Sequence, residues 1–596
     1  MKSGKTFKTV KFKKIRKRDS VIFGIIGFLF CFFEFTGRSL AAQGNLVWTG
    51  AYELCLLLSC LLGSICLVVG GVFLADMLKQ LWGKFSARNK KIDQENAQGS
   101  RRFCEKTWQF WLLCTALILL CWLPCYLAYY PGICAYDVTV QTGQIESGAY
   151  NDHHPIAHTL LLAGSMRLGE ALFGDANTGL GLSVAAQMSC LAGAFGWGLA
   201  LLRRRGVNGK IILCLLLLNM FYPFHMYMSV SVSKDVFFSV FFLLQMLALY
   251  ELIRLREKGF GGFDVLFFVS ALGMQLFRNN GRYAMLVLLA ALVVAFVFGK
   301  GARRFWGRVL LECVVSLVVG SLLLSGLFKV TGAEQGDRRE MLSMPIQQLA
   351  RCMLYHGDVG VLPEDDGTME EQDKALINDF LLDESYREYR PDIADPVKRH
   401  TNTYVARYRA GDFIKTYLNL LCSYPGDFVN AALAVNAGYL YVGDESHAHI
   451  NENGKDRGLG YVQTRWVEAE LNPRGLYKDS KWEGLHELLE SWADKNAYLR
   501  LPVLKYLFVP GVFLWLYLLL FGWLAARKKY AECVPLALAG GYYLTLFLGP
   551  AVQLRYLYPL MIVLPFAAAV CLRPHSGESS DSDMELTRQR AGMAKK

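Results

Sequence analysis

Residues 235–254 read DVFFSVFFLLQMLALYELIR, and this stretch decides the class of fold. No charged residue stands between Asp235 and Glu251, and the length matches the roughly 20 residues that an α-helix needs to cross the core of a bilayer. Similar apolar runs recur along the chain, which is 53% hydrophobic and only 19% charged. Soluble proteins carry about 25% charged residues. The sequence therefore predicts a multi-spanning membrane protein and excludes one large soluble enzyme.

Twelve apolar segments of this kind predict an all-α polytopic membrane protein. Their ranges are 21–37, 52–75, 108–129, 178–201, 211–228, 235–254, 263–277, 283–299, 308–329, 502–525, 532–549 and 555–572. Every second turn between them is rich in Lys and Arg, as at 203–205 and 527–529. Because positively charged loops are retained in the cytoplasm, both termini are expected there, in a multi-pass protein of the cell membrane.

The net charge of +12 follows from this topology rather than from nucleic-acid binding. Nine basic residues between Lys2 and Arg18 precede the first apolar run, where they are expected to contact anionic membrane lipids. No nucleic-acid-binding motif accompanies them. Membrane lipids are therefore the expected partners, and nucleic acid is not.

The predicted spans divide the chain into six regions. They are a basic cytoplasmic tail (1–20), two extra N-terminal spans with a cytoplasmic loop (21–107), a membrane module (108–329) containing an outside loop at 130–177, an extracytoplasmic domain (330–501), C-terminal spans (502–572) and a cytoplasmic tail (573–596). The extracytoplasmic domain is expected to be of mixed or mainly α structure, with helical patterns near 412–421 and 482–494. A disulfide between Cys352 and Cys422 is a pairing that the sequence leaves open.

The outside loop 130–177 contains acidic residues and histidines in a position suited to chemistry. Asp137 closely follows a predicted transmembrane helix, so it is expected near the membrane surface, and Asp152 directly precedes two histidines. A short amphipathic helix that begins near His158 is expected to lie along the interface. A carboxylate just above the bilayer can act as a general base toward an acceptor while a lipid-borne donor stays in the membrane. The alternative is that both acids are ordinary loop residues or helix caps.

Three short outside turns carry cations, which the positive-inside rule makes uncommon there. The cations are Lys234, Arg278, Arg282 and Arg555. Ionisable residues at the ends of spans are functional candidates, and arginine forms forked contacts with phosphate. The set is therefore predicted to bind an anionic headgroup. The alternative is that the cations extend to lipid phosphates, or that Lys234 pairs with Asp235.

A metal site is a further alternative. His154 and His158 are four residues apart, a spacing that places two rings on one face of a helix, and Asp152 lies close to them. His447 and His449 could join such a site, or could be surface loop residues. No cofactor follows with certainty, and a divalent metal stays an open alternative.

These motifs resemble those of the GT-C superfamily of membrane glycosyltransferases, in particular its protein O-mannosyltransferase and lipid A aminoarabinose transferase branches. The matching features are the catalytic acid position at Asp137, the downstream segment YNDHHP at 150–155, the Lys234-Asp235 turn and the R-Y-x-x-P turn that begins at Arg555. The chain also resembles an uncharacterised bacterial membrane family with the same S-x-x-K-D and R-N-N-G features. The resemblance covers roughly 108–330 and 502–572. Val138 stands where the mannosyltransferases have a second acid.

The resemblance implies a GT-C-like fold and an inverting glycosyltransferase of the cell envelope, with its site on the outer face. Such an enzyme moves a sugar from a polyprenyl-phosphate donor to an extracytoplasmic acceptor. The implied catalytic residues are Asp137, Asp152 and Asp235, the donor phosphate would bind Lys234, Arg278, Arg282 and Arg555, and the substrate would be positioned by Tyr150, His153, His154, His158 and Tyr556. A polymerase or ligase of lipid-linked glycans and a transporter or flippase of envelope precursors are the alternatives. No internal repeat of the kind found in transporters is visible in the chain.

Overall fold

A computed structural model describes residues 16–46, 50–71, 106–134, 136–256, 259–299, 301–336, 338–357, 366–443, 476–494 and 501–572. Within these ranges the chain is helical, and its only β-structure consists of isolated bridges. The helices are α1 (Lys17–Gln43), α2 (Gly50–Gly71), α3 (Thr107–Ala128), α4 (Tyr136–Ser147), α5 (Ile156–Phe173), α6 (Ala176–Arg204), α7 (Gly209–Phe221), α8 (Pro223–Val230), α9 (Lys234–Leu255), α10 (Gly262–Phe277), α11 (Asn279–Phe298), α12 (Arg303–Thr331), α13 (Ser343–His356), α14 (Glu371–Phe380), α15 (Asp395–Lys398), α16 (Thr403–Tyr408), α17 (Ala410–Ser423), α18 (Pro425–Leu440), α19 (Glu483–Asp494), α20 (Pro510–Ala526), α21 (Tyr530–Phe547) and α22 (Leu554–Cys571). Short 3₁₀ helices cover Arg338–Leu342, Leu382–Glu388 and Leu504–Phe508.

In the described part of the chain, eight helices are long and apolar enough to cross a membrane. They are α1, α2, α3, α6, α9, α11, α12 and α22. Helices α7 and α8 meet at a bend of 52° and would count together as a ninth span, because Pro223 lacks the N–H that would continue α7. Helices α10 and α20 are apolar but shorter. The prediction of an all-helical polytopic membrane protein is confirmed. Each of the twelve predicted segments overlaps a helix, and the number of twelve spans stays a prediction.

The stretch that decides the fold class forms α9, at the centre of the bundle. Of its apolar window 89% is buried inside the protein, against 22% for α3 and for α12. Helices α6, α10, α21 and α22 pack around it. A helix enclosed on all sides has no polar face to present, which explains why residues 236–250 are apolar on every side except at Ser239 and Gln245.

The predicted outside loop 130–177 contains two helices. Helix α5 confirms the helix predicted near His158, although it begins at Ile156. Its close approach to α6 depends on two glycines, since a Cβ on Gly169 would lie 2.3 Å from the backbone nitrogen of Gly179. The other helix, α4, carries Asp137 in its first turn and was not predicted.

The described residues of 338–443, here called the insert, form a helical unit with a core of its own. The core includes Ile346, Ile377, Phe380 and Phe428. The regular secondary structure described in the region predicted as an extracytoplasmic domain is thus helical, and α17 and α19 confirm the two predicted helical patterns. Cys352 and Cys422 are both free thiols, so the disulfide between them is not formed.

The last helix of the insert, α18, returns to the membrane bundle. It packs along α1 and α20. Trp515 Nε1 donates a hydrogen bond to the carbonyl oxygen of Leu440 at 2.8 Å, and Asn436 Nδ2 donates to that of Phe547 at 2.9 Å. Helix α18 therefore connects the insert to the membrane bundle.

Candidate functional site

Five separate chain segments bring charged side chains together at one end of the bundle. We call these residues the charged cluster: Asp137 of α4, His154 before α5, Lys234 and Asp235 in the first turn of α9, Arg278 between α10 and α11, and Arg555 at the start of α22. All six were predicted from the sequence as candidate site residues. Their convergence is a property of the fold, since the first and last of them are separated by 418 residues.

A short backbone pairing places α4 beside α9. The N–H of Ile133 donates to the carbonyl oxygen of Val230 at 2.8 Å, and the N–H of Val232 donates to that of Ile133 at 3.0 Å. Gly132 makes this possible, because its φ of +153° lies where L side chains are rare and a Cβ there would lie 2.8 Å from Val184 Cγ2. The segment after α3 is thereby held against the α8–α9 turn.

Lys234 lies at the centre of the charged cluster. Ser233 begins α9 by accepting a hydrogen bond from the N–H of Asp235 at 3.2 Å, which makes Lys234 the first helical residue. Lys234 Nζ donates to Asp137 Oδ2 at 2.9 Å and to His154 Nδ1 at 2.8 Å. The ammonium group therefore joins the two halves of the outside loop to α9.

Arg555 contacts the same carboxylate oxygen from the opposite end of the sequence. Its Nη1 lies 3.5 Å from Asp137 Oδ2. Its Nε donates to Gln553 Oε1 at 2.7 Å, and its Nη2 donates to the hydroxyl oxygen of Tyr556 at 3.2 Å. Each nitrogen of the guanidinium thus has a partner, and the group has one fixed orientation.

These charges control the protonation of the neighbouring groups. Burial by itself would raise the pKa of Asp137, but the positive charges of Lys234 and Arg555 outweigh burial and hold that pKa well below its usual range. Burial and the charge of Lys234 lower the pKa of His154 to about 3. At neutral pH the carboxylate is therefore ionised and the imidazole is neutral, with Nδ1 as the acceptor and the proton on Nε2.

A second ion pair lies beside the first and is deeply buried. Arg278 Nη1 lies 2.5 Å from Asp235 Oδ1, and the Asp235 side chain is 0% exposed. The guanidinium carbon of Arg278 lies 4.8 Å from the ring centre of Tyr556 and 5.8 Å from that of Tyr542, which are cation–π distances. Asp235 and these rings therefore hold Arg278 in place.

The charged cluster has an excess of positive charge and several unused polar atoms. Three cations (Lys234, Arg278 and Arg555) face two carboxylates (Asp137 and Asp235), which leaves a formal charge of +1 with His154 neutral. Within the charged cluster, two buried atoms have no hydrogen-bond partner among the described residues, His154 Nε2 and Asp235 Oδ2. Buried polar atoms are seldom left unpaired without a functional reason. The arrangement suits an anionic, hydroxyl-rich ligand.

The other predicted catalytic acid, Asp152, has a structural partner. Its carboxylate accepts a hydrogen bond from the N–H of Gly336, and the backbone around it pairs with Glu334, whose N–H donates to the carbonyl oxygen of Tyr150 at 2.9 Å. These contacts fasten the outside loop to the segment after α12. His153 is exposed and its ring lies 4.6 Å from that of His154.

Arg282 is the predicted phosphate ligand that the structure does not join to the charged cluster. It lies in the first turn of α11, half-buried, and its Nε is a buried atom that has no hydrogen-bond partner in the described part of the chain. No hydrogen bond or ion pair links it to the other predicted site residues where the structure describes them. The remaining predicted residue, Tyr556, does belong to the site, between Arg278 and Arg555.

The histidine pattern that suggested a metal does not form a ligand set. His154 Nδ1 faces Lys234, whereas His158 Nδ1 lies 3.0 Å from the side-chain amide nitrogen of Gln141. Burial, followed by the charge of Lys234, lowers the pKa of His158 to about 3. No group of three or more His, Cys, Asp or Glu side chains suited to a metal occurs among the described residues. His447 and His449 lie outside the described residues.

Sequence reasoning missed the residues that support the site from a distance. Tyr542 donates from its hydroxyl to the carbonyl oxygen of Tyr556 at 2.7 Å, and the N–H of Gln553 donates to the hydroxyl oxygen of Tyr439 at 3.4 Å. Gln141 is buried and holds His158. A polar residue such as Gln141 within a short helical pattern was a usable signal. The two tyrosines gave none.

Comparison with known proteins gives a family. Residues 145–585 match the model of a family of unknown function, DUF6020. The chain belongs to DUF6020. The DUF6020 match contains every member of the charged cluster except Asp137, which lies just before its first residue. No curated protein and no solved structure matches the chain.

Proposed function

We propose that this DUF6020 protein is a membrane glycosyltransferase that takes a sugar from a polyprenyl-phosphate donor and transfers it to an extracytoplasmic acceptor. The observation that carries the proposal is the ionised Asp137 carboxylate held between Lys234 and Arg555. An acid and two cations side by side are what a displacement at a sugar phosphate requires, one to remove a proton and two to stabilise the leaving phosphate.

Asp137 is the base in this mechanism. Its Oδ2 faces the two cations, whereas its Oδ1 accepts no hydrogen bond from the described residues, and the side chain is 19% exposed. An acceptor hydroxyl can therefore donate to Oδ1. As the hydroxyl oxygen attacks the anomeric carbon, its proton passes to Asp137 and the bond from that carbon to the phosphate oxygen breaks. The configuration at the anomeric carbon is inverted.

Lys234 and Arg555 bind the leaving group. The electron pair of the broken bond stays on the donor phosphate, whose charge grows during the reaction. Side chains that are already oriented stabilise such a developing charge at little reorganisation cost. Lys234 is oriented by His154, and Arg555 is oriented by Gln553 and Tyr556.

The unpaired atoms of the charged cluster are assigned to the sugar. His154 Nε2 carries a proton that it can donate, and Asp235 Oδ2 is an acceptor, and neither has a partner in the described part of the chain. A sugar ring offers hydroxyl groups that can both accept and donate. Asp235 is thus proposed as a positioning residue. Asp152 is assigned a structural role in the outside loop and no role in the reaction.

We place the protein in the membrane with the predicted topology. It has twelve spans, both termini lie in the cytoplasm, and the charged cluster lies on the outer face. The apolar surface of α5 supports its placement at that interface, because it exposes Leu161, Leu168, Leu172 and Phe173. The polyprenyl tail of the donor would lie among the lipid-facing helices, with its phosphate at the level of Lys234.

Transfer fits the distribution of polar groups better than transport. Ionisable residues of a transporter are expected near mid-membrane, whereas the charged cluster lies at the ends of α9, α10 and α22. In the middle of the bundle Gln245 and Ser270 satisfy each other by a hydrogen bond. This polar pair contributes to helix packing and leaves no charged path through α9.

The test is transfer from radiolabelled polyprenyl-phosphate hexose or pentose in membranes that contain the full chain. We expect label in an envelope fraction with the wild type and a loss of at least about 100-fold with Asp137→Asn, the size typical of removing a general base. Asp379→Asn is the matched control, because Asp379 is an exposed aspartate of the insert paired with Arg409.

Two results would overturn the proposal. One is full transfer activity in Asp137→Asn at a wild-type level of folded protein. The other is an absence of transfer from every donor together with uptake of an intact lipid-linked sugar into sealed vesicles, which would favour a flippase. The length of any product separates single transfer from polymerisation.

A further inference from the structure

We infer that Asp137 is a built-in competitor of the donor phosphate: in the unliganded protein its carboxylate occupies the two cations that the phosphate binds, and the phosphate must displace it. The inference rests on the anion site of the proposed function and adds an order to its use. The donor binds first, and only then is Asp137 released toward the acceptor.

The geometry of the two cations supports displacement rather than addition. Each nitrogen of Arg555 is already engaged, by Gln553, by Tyr556 and by Asp137. Gln553 and Tyr556 are neighbours of Arg555 in the same turn of chain, and they orient it without competing in charge. Asp137 is the one anion among these three partners and its 3.5 Å contact is the longest, so an incoming anion competes with Asp137 Oδ2 for Arg555.

Lys234, like Arg555, has Asp137 as its one anionic partner and is also held by a neutral group. One of its three N–H bonds points to His154 and another to Asp137 Oδ2. The bond to neutral His154 remains when an anion arrives, so the ammonium group stays in place. The bond to Asp137 is the one that a phosphate would replace, because a phosphate oxygen forms the same kind of charge-assisted hydrogen bond with the ammonium group.

The charge balance of the cluster indicates why the phosphate has to replace Asp137 at Lys234 and Arg555. The charged cluster has a formal excess of only +1 while Asp137 is paired with its cations. Arg278 is committed to Asp235 and cannot supply the missing positive charge. Once the phosphate binds Lys234 and Arg555, Asp137 loses the two charges that keep it a weak base. Donor binding thus converts Asp137 from a counter-ion into a base.

The experiment measures binding without transfer, so that its outcome is independent of glycosyltransferase activity. The full chain is placed in lipid nanodiscs and titrated with a fluorescent polyprenyl monophosphate that carries no sugar. We expect Asp137→Asn to bind this probe about threefold to tenfold more tightly than the wild type, as for the loss of one partly buried competing charge. Asp137→Glu keeps the charge and should bind as the wild type does, and Arg555→Gln should bind more weakly.

Equal or weaker binding by Asp137→Asn overturns the inference, even if transfer activity is found. Tighter binding supports it, even if no sugar is transferred. Should Asp137→Asn fail to give monodisperse protein, Asp137→Ser serves as the second charge-removing variant. Competition with inorganic phosphate identifies the ligand: if the free ion displaces the probe equally well at equal concentration, the site recognises phosphate alone and the lipid part of the inference is wrong.

Discussion

Replacing Asp235 with Asn tests how strongly the bundle depends on the deeply buried ion pair of Asp235 and Arg278. The Asp235 side chain is 0% exposed and that of Arg278 is 10% exposed, with 2.5 Å between Oδ1 and Nη1. Asn has nearly the same shape, so the substitution removes the charge and leaves the packing intact. Breaking a buried pair on one side costs about 3–5 kcal/mol, because the remaining charge is left buried without compensation. We expect a loss in the free energy of unfolding near the lower end of that range, since Tyr556 and Tyr542 still face the guanidinium.

The chain offers a control with the same geometry and a different environment. Arg409 Nη1 lies 2.5 Å from Asp379 Oδ2, but these side chains are 47% and 57% exposed. Exposed pairs contribute little to stability, so Asp379→Asn should unfold as the wild type does. The free energy of unfolding is measured by tryptophan fluorescence in mixed micelles for the purified wild type, Asp235→Asn and Asp379→Asn. If Asp235→Asn is as stable as Asp379→Asn, the reasoning from burial is refuted.

Three further predictions concern other parts of the structure. Gly132→Ala should destabilise the protein by about 1–3 kcal/mol in the same unfolding assay, because its Cβ would lie 2.8 Å from Val184 Cγ2; wild-type stability would contradict the described loop conformation. The native pKa of Asp137 is lowered, so its ionisation stabilises the fold above the unfolded pKa of about 3.9 and ceases to do so as the pH falls through the native value. The difference in unfolding free energy between wild type and Asp137→Asn should thus stay constant from about pH 7 to pH 5 and shrink below about pH 4; a decline already at pH 6 would be inconsistent with this. His356→Ala should destabilise the insert by about 1–3 kcal/mol, because its ring bonds Asp427 at 2.9 Å and stacks on Tyr424 at 3.9 Å, and limited proteolysis of the insert should accelerate while the membrane bundle stays intact.

The sequence predicted the helices well wherever burial in lipid dictated composition. A membrane span must satisfy its backbone within itself and present apolar side chains to the lipid, so each predicted segment overlaps a helix. The same reasoning missed α4 and α18. Helix α4 is polar and short, and its position depends on the pairing of Ile133 with Val230. Helix α18 mixes Asn and Asp with Ala and Val, because it packs against protein rather than lipid.

The candidate site, too, was predicted from the sequence only in part. The cations of the charged cluster were selected because charge at the end of an apolar span is costly unless it has a purpose, and its other members were selected from the outside loop and the family resemblance. The sequence did not separate these residues from Arg282 or Asp152, which were predicted on the same grounds. Only contacts made that distinction: Asp152 accepts from the backbone of Gly336, and no hydrogen bond or ion pair joins Arg282 to the charged cluster among the described residues.

The sequence by itself determined the class of fold, which is a chain of apolar helices with a small number of charges at their ends. Local composition suffices for that, because transfer into lipid acts on each segment separately. What only the tertiary structure decided is which charges meet. Asp137 and Arg555 are 418 positions apart and contact one another because α9 brings α4 and α22 to the same end of the bundle. Such a meeting depends on packing summed over many helices, and no local pattern in the chain encodes it.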